Sequence, residues 1–150
     1  MGFDLSGLNP NLTRPEPKLP PMSEMTSEHW EEYHKWQDEN CGVYFRNNVW
    51  WWRPLWNFVT GMCNDILTEK DIEHGSFNDG HKISKTKAAK IAKRLFKLIE
   101  EGTIKKYEKM YERQIKKLNK DDWDKNYPFS EDNVRRFANF CANSGGFTIC

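Results

Sequence analysis

The sequence predicts a compact, mostly α-helical domain of about four to five helices, with a small β-pair made by its two ends. Three observations carry this. Apolar residues recur every three or four positions in several separate stretches. A capping residue stands before most of those stretches. The first and last few residues instead alternate apolar with small or polar, the period of a strand. At 150 residues the chain fits one domain, residues 1–150, able to bury a core without staples. Seven tryptophans must supply much of that burial.

Taken in order, Gly2-Phe3-Asp4-Leu5 alternates and reads as a short strand. Residues 9–26 follow as an irregular arm, since Pro10, Pro15, Pro17, Pro20 and Pro21 deny it both helix and central strand. A short acidic helix is expected over 27–39, capped by Ser27, with Glu28, Glu31 and Glu32 near its positive end and Trp30, Tyr33 and Trp36 turned to the core.

Residues 45–67 are the apolar centre. Phe45, Val49, Trp52, Trp56, Val59 and Cys63 fall on one helical face. Pro54 suits a first turn, so the helix is expected to begin just before it, with Asn47 to Trp52 as a partly irregular lead-in. Gly75, Asn78, Asp79 and Gly80 make 68–83 a loop, with a helical turn capped by Thr68.

The clearest helix spans 84–101. Ser84 caps it, Ala88, Ile91, Ala92, Leu95, Leu98 and Ile99 form its buried stripe, and Gly102 ends it. A second helix is expected over 103–119 on Ile104, Tyr107, Tyr111, Ile115 and Leu118. Ser130 opens the last helix, 130–143, with Phe129 and Val134 placed as a hydrophobic staple. Gly145-Gly146 stops it. Phe147-Thr148-Ile149-Cys150 alternates again and can pair with the first strand.

Charge is unevenly spread. The net value of +1 hides a balance of −7 over residues 1–81, +9 over 82–117 and −1 over 118–150. The basic block thus has acidic partners in its own chain, and its lysines interleave with an ordinary buried stripe. Both points argue against nucleic acid as the partner. No stretch is long and apolar enough to span a membrane, and the start has neither a basic region nor an apolar run, so the expected location is the cytoplasm of the cell that makes the protein. The start does fit the loose myristoylation pattern, a weak signal. Cys41, Cys63, Cys141 and Cys150 form no CxxC pair and are expected as reduced thiols. A zinc site from Cys41, Cys63, His74 and His81 has unfamiliar spacings. The expectation is no metal and no cofactor. No nucleophile elbow, HExxH or deaminase signature is present, so no catalytic residue is nominated.

Two segments could hold a ligand. In Arg46-Asn47-Asn48-Val49-Trp50-Trp51-Trp52-Arg53, three adjacent indoles cannot all enter one core, because neighbours on a helix point about 100° apart and on a strand alternate. Two readings stay open: tryptophans that serve only as core, or a core that also presents a ligand face. In the second, Trp50, Trp51 or Trp52 stacks on a base, Arg46 and Arg53 meet phosphate, and Asn47 and Asn48 bond base or ribose edges. The other segment is Asn78-Asp79-Gly80-His81-Lys82-Ile83-Ser84-Lys85, a turn running into a helix start, where free N–H groups favour anions. It is equally readable as a capped helix with lysines in solvent.

Met1-Gly2-Phe3-Asp4-Leu5-Ser6-Gly7-Leu8-Asn9-Pro10, the run Phe45 to Trp56, the run Asn78 to Lys87, Tyr127-Pro128-Phe129-Ser130 and Gly145-Gly146-Phe147 together resemble a group of small bacteriophage and prophage proteins. Many members of that group carry a CxxCxGxG segment before the last helix. Here Lys120 to Asn126 stands in its place without cysteine, so no zinc site is implied. The resemblance implies a phage accessory protein. Such proteins often counter host defence, some by sequestering signalling nucleotides. The expected function is binding of a small phosphate-bearing nucleotide without catalysis. The alternative is a protein-binding factor that docks its tryptophan face on a host or phage protein. Self-assembly into a homo-oligomer stays open.

Overall fold

The computed structural model describes residues 2–150; Met1, the first residue of the N-terminal motif, lies outside them. Among the described residues the chain forms six α-helices and one four-stranded antiparallel sheet. The strands are β1 (Gly2–Gly7), β2 (Tyr44–Asn48), β3 (His81–Ile83) and β4 (Phe147–Ile149), in the order β2-β1-β4-β3. The expected pairing of the two ends forms the middle of this sheet, with Leu5 opposite Ile149 and Ser6 opposite Thr148.

The outer strands correct the sequence reading. Asn47 to Trp52 is expected as an irregular lead-in with Phe45 on the helical face, and 68–83 as loop, whereas Tyr44–Asn48 and His81–Ile83 are strands. Each is short and half polar, so neither shows a strand pattern alone. Each becomes a strand because the two ends offer it an edge to pair with.

The helices are α1 (Ser27–Glu39), α2 (Val49–Met62), α3 (Glu69–His74), α4 (Lys85–Glu100), α5 (Thr103–Lys116) and α6 (Glu131–Asn143). α1 is capped by Thr26, one residue before the expected Ser27; its side chain accepts from the His29 N–H. Thr68, Ser84 and Ser130 cap α3, α4 and α6 as expected. α2 begins well before Pro54. Asn48 caps it, accepting from the Trp51 N–H at 3.1 Å, and that cap fixes the start. Pro54 therefore sits inside the helix, where it withholds the hydrogen bond the Trp50 carbonyl would have received.

One face of the sheet and the helices enclose a core of Phe3, Leu5, Trp52, Trp56, Ile91, Phe137 and their neighbours. The other face, carrying Tyr44, Arg46, Ser6, Lys82 and Thr148, points away from that core. Of the α1 rings only Trp36 is buried, and it packs under the proline-rich arm, its Nε1 donating to the Arg14 carbonyl at 3.0 Å. Trp30 stays 39% exposed, so the expectation that α1 lays its rings on the core is corrected: the one buried ring is covered by the arm and lies outside the core cluster. Among the described residues no helix is long and apolar enough to cross a membrane.

Candidate functional site

The three adjacent indoles diverge, as their helical positions require. Trp52 is sealed in the core at 0% exposure. It stacks on Phe3 and Trp56, and its Nε1 donates to the Gly75 carbonyl at 2.8 Å. It is therefore not available to a ligand. Trp50 and Trp51 remain half-buried at the surface. Trp50 lies parallel to Trp123, ring centres 6.0 Å apart, and tilts against Tyr127 at 4.9 Å. Trp123 itself is 71% exposed.

Arg53, one turn along from Val49, reaches the Tyr127 hydroxyl at 3.3 Å, and no described carboxylate pairs with it. It opens onto a cleft of about 490 Å³ between α2, α5 and the 3-10 turn Trp123–Asn126. Tyr107, Tyr111 and Tyr127 wall the cleft, and Asn57, Gln114 and Asp124 add polar groups. Such a volume suits a small ligand. Burial raises both the Tyr107 and Tyr111 phenols, Tyr111 to about 12 with help from Tyr107, Asp124 and Tyr127. Both walls thus stay uncharged at neutral pH. Tyr111 donates to the Tyr127 carbonyl at 2.6 Å, which fixes the turn against α5. Past Tyr127 a groove continues along Trp51, Lys116, Lys125 and Ser130.

No known family model, curated protein or solved structure matches this chain. Its chemistry must therefore be read from the placement of its own residues.

Asn47 departs from the expected ligand role. Its amide is buried and exchanges two hydrogen bonds with the Asn133 amide, 3.0 and 2.8 Å, leaving no group for a base edge. Asn48 is spent as the α2 cap. Arg46 lies on the outward sheet face, 3.5 Å from Asp4.

The second segment does not join the aromatic cleft. β2 and β3 are opposite edges of the sheet, three strand spacings or about 14 Å apart. Lys82 is exposed on the outward face of β3, Lys85 projects from the first turn of α4, and Ser84 caps that helix. Asn78 reaches β1 and not the Arg46–Arg53 stretch, donating to the Gly2 carbonyl at 2.8 Å. His81 turns inward to Asp71, Nε2 to Oδ1 2.8 Å, and Lys87 reaches the other oxygen at 2.5 Å. Burial alone would raise the Asp71 carboxyl, but Lys87, the Thr68 backbone N–H and His81 outweigh it and hold the group well below the usual carboxylate range. His74 stacks on His81 at 5.0 Å and bonds Asp79 at 2.5 Å. This cluster ties α3 to β3 and α4.

Among the described residues no group of three or more His, Cys, Asp or Glu is placed to hold a metal ion. The four cysteines are free thiols; Cys41 and Cys150 are exposed while Cys63 and Cys141 are buried. Burial pushes the Cys63 thiol up to about 11 and that of Cys141 well above its ordinary value.

Sequence reasoning picked out Trp50, Trp51 and Arg53 but missed Tyr107, Tyr111, Tyr127, Asn57 and Gln114. The tyrosines at 107 and 111 were visible only as part of a buried stripe. A stripe that uses tyrosine where leucine would serve is the signal that one end of the ring meets polar surroundings.

Proposed function

We propose that the chain binds a small phosphate-bearing nucleotide in the cleft between α2, α5 and the Trp123–Asn126 turn, and holds it without chemical change. This fits the phage-type accessory role that the sequence resemblance implies. The observation that carries it is Arg53: a guanidinium with no carboxylate partner, at the mouth of a cleft walled by neutral phenol rings. A base stacks on Tyr107, Tyr111 or Tyr127, a contact worth about 1–3 kcal/mol. Asn57 and Gln114 have spare donors and acceptors for its edge. Arg53 takes phosphate by its fork, with Lys116 and Lys125 in the adjoining groove. Trp50 backs the site through Tyr127.

Calorimetry against nucleoside monophosphates, cyclic mono- and dinucleotides and ADP-ribose tests this. The expected result is heat with at least one ligand, lost in Arg53→Ala and weakened in Tyr111→Ala. No heat with any of them at high protein concentration would sink the reading.

One observation favours a second reading. Trp123, exposed on its turn, is the kind of aromatic anchor that protein interfaces use. A stoichiometric protein partner captured by the wild type and lost in Trp123→Ala, with no nucleotide heat, would replace the first reading with this one.

A further inference from the structure

The charge asymmetry of the sequence led to the expectation that the acidic and basic parts neutralise each other within the chain. In the folded molecule they do so only in part. From the basic block, Lys87 pairs with Asp71 and Arg94 with Asp65, and Lys97 reaches Glu101 of its own helix at 3.9 Å. The carboxylates of α1 meet none of it. Among the described residues only Arg14 of the arm pairs with them, 3.6 Å from Glu32 and 3.1 Å from Glu39.

α1 also lacks substantial packing on any other helix or strand. It stands on the arm through Trp36 and through Asn40, which accepts from the Thr13 N–H at 2.7 Å. The arm and α1 leave Leu12, Leu19, Met22 and Trp30 exposed, and Leu8 just before the arm is exposed as well. An apolar and acidic module of this kind is incomplete by itself.

Its complement lies elsewhere on the same molecule. Lys90, Lys93 and Lys97 line a recess of about 400 Å³ between α4 and the loop after α2, together with Ile66 and with Asp65, whose charge is matched by Arg94. Lys90 and Lys93 have no described carboxylate within ion-pair distance. Phe96 of α4 is exposed on the same helix as these lysines, and Met110 is exposed on α5, which packs against α4.

We infer that the arm and α1 of one copy dock on the basic α4–α5 surface of a second copy. The two surfaces differ, so the contact is head-to-tail and builds a ring or an open chain rather than a two-fold dimer. Opposed charges steer the copies together and apolar side chains are covered where they meet. Salt acts strongly on such a contact, because screening shortens the reach of exposed charges from about 10 Å at 0.1 M to about 3 Å at 1 M.

Sedimentation and light scattering on the full chain test this. At high protein concentration and low salt the wild type should show at least twice the monomer mass of 17.9 kDa, falling toward the monomer at 1 M salt. The triple variants Glu28→Lys/Glu31→Lys/Glu32→Lys and Lys90→Glu/Lys93→Glu/Lys97→Glu should each be monomeric alone and associate when mixed. A control, Glu73→Lys/Asp121→Lys/Asp132→Lys, makes the same charge change elsewhere and should still self-associate. All of these side chains are exposed or nearly so, and circular dichroism confirms folding of each variant. A wild type that stays monomeric under all conditions overturns the inference. So does association that survives in both triples. A wild type that is monomeric until an added polyanion binds the lysines would assign the basic surface to nucleic acid instead.

Discussion

Asn47 of β2 and Asn133 of α6 face each other inside the protein, each amide donating to the other's oxygen at 3.0 and 2.8 Å. The pair satisfies the two side chains where little water reaches, and it fixes the edge strand to the last helix. Removing one partner strands the other, at about 1–3 kcal/mol. Asn47→Ala and Asn133→Ala should each lower stability by about 2 kcal/mol in denaturant unfolding. The double variant should cost clearly less than the sum, because the second deletion removes a group already stranded. Strict additivity would show that the pair contributes nothing jointly.

Asp71 predicts an acid limb to the stability curve. Its folded-state carboxyl is held below the ordinary range, so on acidification the unfolded chain takes up the proton first. Its contribution is complete above about pH 4 and is lost as pH falls through the lower folded value. Asp71→Asn keeps the shape but strands Lys87, and should cost about 3 kcal/mol at neutral pH. The gap between variant and wild type should narrow steadily below about pH 4. A gap that is constant with pH would mean the charge plays no part.

The helical frame was legible because its signals are local. Ser84 and Ser130 announce helix starts, and the stripe from Ala88 to Ile99 fixes which face of α4 is buried. β2 and β3 were not legible, because what makes Tyr44–Asn48 and His81–Ile83 strands is the edge offered by distant segments. The start of α2 was misplaced because Pro54 is a strong local signal, and the Asn48 cap six residues earlier overrides it. For the candidate site, the divergence of Trp50, Trp51 and Trp52 followed from angles alone. Asn47 could not be assigned correctly, since its partner lies 86 residues away.

That divergence makes the tryptophans separable by experiment. Trp52→Ala empties the centre of the core and should cost about 3–5 kcal/mol. Trp123→Ala removes an exposed ring and its stacking on Trp50, and should cost no more than about 1 kcal/mol. A soluble quencher should reach the Trp123 and Trp50 emission and spare that of Trp52 in single-tryptophan backgrounds. Equal quenching of Trp52 and Trp123 would contradict the burial of the former.

Gly146 holds α6, β3 and β4 in register. Its φ is +90°, a conformation that side chains rarely adopt, and an added Cβ would lie 2.8 Å from the Ile83 carbonyl oxygen and 2.9 Å from the Lys85 nitrogen. Both obstacles are backbone, so neither can swing aside. The strand or the start of α4 has to move. Gly146→Ala should therefore cost at least about 2 kcal/mol, backbone strain and displacement together. By contrast Gly61→Ala, within α2 and with nothing near the added methyl, should be neutral or stabilise by up to about 1 kcal/mol. The melt of Gly146→Ala should fall and that of Gly61→Ala should stay or rise, by about 2–4 °C per kcal/mol. Similar losses in both would show that the packing at Gly146 is not what constrains it.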